Sequence, residues 1–92
     1  MHVAVHYWAQ ARVAAGTATE LLEFAEAPTV REVLLRAARA HGPQLTRFLL
    51  TADGLPQPAL LLFVGEEQVR GDADRRLQPG APLLILPPMS GG

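Results

Sequence analysis

Val3, Val5 and Tyr7 alternate with His2, Ala4, His6 and Trp8 at the start of the chain, a period of two that predicts a strand with one apolar side. Ala9 to Gly16 breaks the alternation. Thr17 to Phe24 resumes an extended pattern with Leu22 and Phe24 two apart, so a first hairpin is expected. The period then changes. Pro28-Thr29-Val30-Arg31-Glu32 carries a helix start, because the Thr29 hydroxyl can accept from the third helical amide while the Glu32 carboxylate reaches back to the Thr29 amide, a capping box. Val30, Val33, Leu34, Ala37, Ala38 and His41 follow as one stripe, with Arg31, Arg36 and Arg39 facing elsewhere, so the helix is amphipathic and lies on another layer. Gly42 can take the left-handed conformation that closes a helix, and Pro43 cannot continue it, so the helix is expected to end near His41.

From Gln44 to Pro58 the pattern is mixed. Leu45, Phe48 and Leu49 suit one apolar helical turn, and Asp53-Gly54 with Pro56-Gln57-Pro58 read as turn and loop. Leu60 to Val64 is a continuous apolar run of strand length, which predicts a buried central strand. Gly65-Glu66-Glu67 turns the chain into a short strand, Gln68-Val69-Arg70. Asp72 to Gly80 is a polar loop with one buried anchor, Leu77, and Leu83 to Leu86 forms the last strand, stopped by Pro87-Pro88. The order predicts an α+β fold in which a mixed sheet of four to five strands carries one main helix packed across it. A single domain over 1–86 is followed by an extended tail over 87–92. No internal repeat is found.

Composition narrows the function. Hydrophobic residues make up 49% and charged residues 18% of the 92, the profile of a folded chain. A net charge of -1 supplies no attraction for a phosphate backbone or an anionic membrane, so neither nucleic acid nor membrane is an expected partner. Without cysteine there is no disulfide framework, thiolate nucleophile or Cys-based metal site. No apolar run reaches the 18 or so residues of a membrane span, and no basic segment precedes a signal-like stretch at the N-terminus, which points to the cytoplasm. All eight basic residues are arginine, so the chain offers no side-chain amine to an activated acyl group.

Catalytic motifs are absent: no GxxxxGK[ST], GxGxxG, HExxH or GxSxG occurs. His2 and His6 share one side of the first strand but have no acidic third ligand close in sequence, which favours solvent-exposed histidines and no metal site. His41 suits a capping or half-buried position at the helix end, and Arg75-Arg76 suits a solvated loop. The ending Leu86-Pro87-Pro88-Met89-Ser90-Gly91-Gly92 stands apart, since two terminal glycines arise by chance in only about one chain in 200. Paired prolines hold the backbone extended and remove two donors, so the tail can project as an arm of roughly 20 Å. Two residues without side chains can thread a narrow tunnel. The terminal carboxylate, with a pKa near 3.3–3.7, is an anion at neutral pH and a poor acyl donor. It needs activation, and adenylation is the expected route.

These residues resemble the MoaD/ThiS family of ubiquitin-like sulfur carriers over nearly the whole chain. Tyr7-Trp8-Ala9-Gln10-Ala11-Arg12 through Gly16 is similar to the family's opening strand and loop, Thr29-Val30 through Leu34 to its helix start, and Leu77-Gln78-Pro79-Gly80 with Leu84 through Gly92 to its closing signature. The resemblance implies a β-grasp fold. It also implies that an E1-like adenylyltransferase activates Gly92 with ATP, that a sulfur donor converts the adenylate into a thiocarboxylate, and that no cofactor is bound. The resemblance is strongest to the family's molybdopterin synthase branch. There the large synthase subunit accepts the tail, with Gly91 giving access and Pro87, Pro88, Met89 and Ser90 aiming it. An apolar sheet face docks to partners in the family. Trp8, Leu84 and Leu86 could supply that face, or Trp8 could merely cover the edge of the core. Gly65, where relatives often carry Asn, and Ala81, where they often carry Asp, bear on the acceptor more than on the fold. Carriers for cysteine, thiazole or tRNA thiolation and ubiquitin-like modifiers use the same activated carboxylate, so the acceptor stays open.

Overall fold

The computed structural model describes residues 1–70 and 72–87; the tail residues Pro88 to Gly92 lie outside them. The described chain runs β1 (His2–Tyr7), α1 (Ala9–Ala15), β2 (Thr19–Glu23), α2 (Val30–His41), α3 (Pro43–Leu49), β3 (Leu61–Val64), β4 (Glu67–Val69) and β5 (Leu83–Leu86). The strands form one sheet in the order β2-β1-β5-β3-β4. β1 and β5 run parallel, and the other neighbouring pairs are antiparallel. A mixed sheet with one main helix across it is therefore what the chain builds, joined by two shorter helices. One expectation is corrected: the central strand is β5, and β3 lies one place in from the edge. Leu61 is 40% exposed while Leu62 and Val64 are buried, so β3 is covered on one face only. A run of four apolar residues does not reveal which of them point to solvent.

The residues between β1 and β2, expected to be a plain hairpin connection, form α1. Ala11 and Ala15 are its buried positions, four residues apart, and Gly16 closes it at φ 76 and ψ 10 with its N–H donating to the Arg12 carbonyl at 2.9 Å. Alanine in place of a larger apolar residue left the periodic signal weak. The α2 capping box is present: Thr29 N–H donates to Glu32 Oε1 at 3.0 Å, and Glu32 N–H to the Thr29 hydroxyl oxygen at 3.1 Å. Val30, Val33, Leu34, Ala37 and Ala38 are buried as the stripe requires. Gly42 has a positive φ of 88 but an extended ψ of -166. It therefore bends the chain straight into α3, where Pro43 fills the donor-free first turn.

Leu34, Leu45, Leu49, Leu77, Leu83 and Ile85 are the largest fully buried side chains between the sheet and the helices. Leu77 is the expected anchor of its loop, and its N–H donates to the Pro28 carbonyl at 2.8 Å. Arg75 and Arg76, expected to be merely solvated, instead tie the loop down. Arg75 pairs with Glu67, and Arg76 Nη1 donates to the Ala27 carbonyl at 2.7 Å. Long arginine side chains reach partners far away in sequence, which neighbouring residues do not disclose.

Candidate functional site

The tail leaves the domain from the middle of the sheet. β5 pairs with β1 through Val5 with Leu83, His6 with Leu84 and Tyr7 with Ile85, and with β3 through Leu61 with Leu86 and Phe63 with Leu84. Directly paired residues share a face of a sheet. Val5, Tyr7, Leu83 and Ile85 therefore point to the helices and are buried, whereas His6, Leu84, Leu86, Leu61 and Phe63 point to the other face. Leu84, Leu86 and Phe63 are half-buried there. Trp8 sits one step past the last paired residue of β1, is 51% exposed, and donates its backbone N–H to the Ile85 carbonyl at 3.1 Å. The structure thus gathers Trp8, Leu84 and Leu86 at the point where β5 ends. Leu61 and Phe63 complete an open apolar face. Pro87 follows at once and is buried; Pro88, Met89, Ser90, Gly91 and Gly92 lie outside the described residues.

Sequence reasoning missed Leu61 and Phe63 because it assigned β3 to a strand covered on both faces. Leu21 was missed too: it is 68% exposed on the same open face, opposite Ala4. The signal that could have found all three was the alternation itself, since β3 and β5 pair antiparallel and Leu61 and Phe63 take the register of Leu86 and Leu84.

The main cluster of titratable groups lies on the opposite face of the sheet. On the helix side, the Tyr7 hydroxyl donates to Glu20 Oε1 at 2.5 Å, and His41 Nε2 lies 2.8 and 2.9 Å from the two Glu20 carboxylate oxygens. His41 meets the Tyr7 ring edge-on, with centroids 5.9 Å apart. Burial, then the hydrogen bond to Glu20 and the Glu20 charge, push the Tyr7 hydroxyl far above its ordinary range. His41 is thus half-buried, as expected, and it ties α2 to β2. His2 is exposed and pairs with Glu23 at 3.3 Å, while His6 is half-buried beside Leu84. Among the described residues no group of three His, Asp or Glu side chains converges as a metal site would require. The open face presents apolar docking surface at the base of the tail, and the ionisable side chains that β1 and β2 add to it are His6 and, at its far end, the paired His2 and Glu23.

The family model described as the ThiS family matches residues 5–92. No curated protein matches the chain by sequence. Among solved structures, SAMP1 from Haloferax volcanii is similar over 100% of both chains, at 23% identity and a TM-score of 0.86. A chain of the BexX/CysO complex from Amycolatopsis orientalis is similar at 26% identity and a TM-score of 0.73, covering 98% of this chain and 99% of that one. A Pyrococcus furiosus chain assigned to subunit 1 of a molybdopterin converting factor is similar at 22% identity and a TM-score of 0.75, covering 97% and 99%. The five-stranded mixed sheet with α2 across it is the β-grasp arrangement of these ubiquitin-like proteins, as the resemblance implied.

Proposed function

This chain belongs to the ThiS family of ubiquitin-like sulfur carriers, and from that premise we propose that it carries sulfur on Gly92 for the large subunit of molybdopterin synthase. One observation supports the reading above the others: the family match runs through Gly92 and takes in the whole Pro87–Gly92 ending, which follows directly on the central strand. In the proposed cycle an E1-like adenylyltransferase joins a Gly92 carboxylate oxygen to the α-phosphorus of ATP and releases pyrophosphate. A sulfur nucleophile then attacks the acyl carbon, AMP leaves, and a thiocarboxylate remains. Delivery of that sulfur to a pterin precursor, with water supplying the replacement oxygen, restores the carboxylate.

The division of labour follows from the residues. Gly91 and Gly92 add no side chains to obstruct a tunnel, and Pro87 to Ser90 aim the arm. Trp8, Leu84 and Leu86, with Leu61 and Phe63, supply apolar area for a partner to cover. Each enzyme of the cycle brings its own catalytic groups. Similarity to the Pyrococcus furiosus subunit favours this acceptor.

Similarity to SAMP1, described for Haloferax volcanii as a small archaeal modifier protein, favours a second reading. In it a lysine amine of another protein attacks the same adenylate, expels AMP and forms an isopeptide. The chain has no lysine of its own, so it would not form lysine-linked chains of itself. The two readings separate when thiocarboxylated protein is mixed with the large synthase subunit and the pterin precursor. Sulfur appearing in the pterin as Gly92 returns to a carboxylate supports the first reading. A thiocarboxylate that persists there, with isopeptide adducts formed on lysine-bearing proteins given ATP and the activating enzyme, replaces it with the second.

A further inference from the structure

β2 lies at an edge of the sheet, and its residues differ in where their backbone groups point. The Phe24 N–H donates to the Met1 carbonyl and the Tyr7 N–H to the Ala18 carbonyl, both at 2.8 Å. The hydrogen-bonded pairs of this antiparallel ladder therefore join odd-numbered residues of β1 to even-numbered residues of β2. The amides and carbonyls of Thr19, Leu21 and Glu23 point away from the sheet.

Two of these carbonyls already accept a bond: the Thr17 hydroxyl donates to that of Thr19 at 2.9 Å, and Arg36 Nη1 to that of Glu23 at 2.8 Å. A carbonyl oxygen has two lone pairs, so each keeps one. Arg36 stacks over the Phe24 ring, on the helix side of the edge. Among the described residues the N–H and carbonyl of Leu21 meet no partner. The side chains of Thr19, Leu21 and Glu23 stand on the open face and are all exposed, Leu21 by 68%.

An edge with unpaired backbone groups and an exposed leucine at its midpoint is a template for another strand, and the order of residues in β2 selects which. When a second β2 lies antiparallel about a two-fold axis at Leu21, all five residues of the strand are paired: Leu21 with Leu21, Thr19 with Glu23, and Glu20 with Leu22. Every outward N–H and carbonyl then has a counterpart, and neither glutamate faces another. A slip of two residues in one direction sets Glu20 against Glu20, and in the other sets Leu21 against Glu23, and both leave strand residues unpaired. We propose that β2 pairs with β2 of a second copy of this chain, forming a two-fold dimer whose two sheets join into one. The interface is one strand wide, so association is weak and depends on concentration. It uses none of the carrier chemistry and stands or falls apart from that reading.

The test is sedimentation equilibrium of the intact protein at concentrations up to about 1 mM, beside Leu21→Glu, Leu21→Lys and an equimolar mixture of the two. Leu21 is exposed, so both variants are expected to fold, and circular dichroism checks it. The mass of the parent protein should rise from one chain toward two with concentration. Each variant alone should stay at one chain, because like charges meet on the axis, and the mixture should associate again, because Glu then meets Lys. A parent that stays at one chain, a single variant that associates as the parent does, or a mixture that does not associate would each overturn the proposal. Leu21→Cys supplies a second readout in a chain without other cysteines. Under mild oxidation it should form a disulfide-linked dimer at least tenfold faster than Val13→Cys, which replaces an exposed residue of α1. Equal rates would overturn the pairing.

Discussion

The two faces of the sheet are built from the same kinds of residue and meet opposite fates. Leu83, Ile85, Leu62 and Val64 look toward the helices and are buried, while Leu84, Leu86 and Phe63, interleaved with them on the same two strands, stay only half-buried and Leu61 is exposed. Strand propensity does not distinguish the two sets, since the β5 sequence is Leu-Leu-Ile-Leu. What separates them is whether a helix lies across the face. Hydrophobic surface that α2 covers holds the fold together, and hydrophobic surface left uncovered at the base of a tail is free to hold a partner.

The comparison breaks most sharply at neighbouring positions of β5. Ile85→Ala is expected to remove about 2–5 kcal/mol of stability in urea unfolding, because Ile85 is fully buried and truncation leaves a cavity. Leu84→Ala should cost no more than about 1 kcal/mol, yet weaken association with the E1-like enzyme that the proposed cycle requires. The single tryptophan, Trp8, reports that association by fluorescence. Equal stability losses at the two positions would erase the distinction between the faces.

A smaller effect comes from the helix that covers the inner face. Thr29→Ala, which removes the hydroxyl of the capping box, should cost about 1 kcal/mol in the same unfolding experiment. Its companion Glu32 is held below the usual carboxylate range by the backbone and side-chain hydrogen bonds of Thr29. A depressed folded pKa means stabilisation that is present above the ordinary Glu range and lost as pH falls through the folded value. The Thr29→Ala variant should therefore show a flatter acid limb than the parent protein.

The smallest effect at neutral pH lies at Tyr7, the only tyrosine. Its folded pKa is raised by burial and by Glu20. Its contribution is therefore complete below the unfolded value of about 10 and is lost as pH rises above it. In an alkaline titration, phenolate absorbance is expected to appear only together with loss of the far-ultraviolet dichroism. Phenolate formed near pH 10 in a protein that is still folded would contradict the buried Tyr7–Glu20–His41 cluster.

Legibility in the sequence followed the reach of the interactions involved. The capping box, the α2 stripe, the Leu77 anchor and β5 could be read because each rests on residues a few positions apart. α1 was missed because its buried positions are alanines, and the rank of β5 as the central strand was missed because pairing is set across the whole chain. The link from His41 to Glu20 joins residues 21 apart, and nothing local announces it. At the candidate site, Trp8, Leu84 and Leu86 were named from the sequence. Leu61, Phe63 and Leu21 needed the register.

The central claim is that Gly92 carries the chemistry, and the intact mass of the protein tests it most directly. The protein, tagged only at its N-terminus, is incubated with an E1-like adenylyltransferase, ATP and a sulfide source. The account predicts a mass gain equal to replacing one oxygen by sulfur, absent without ATP and absent when Gly92 is deleted. No gain, with an activating enzyme shown to load a related carrier in parallel, would contradict it.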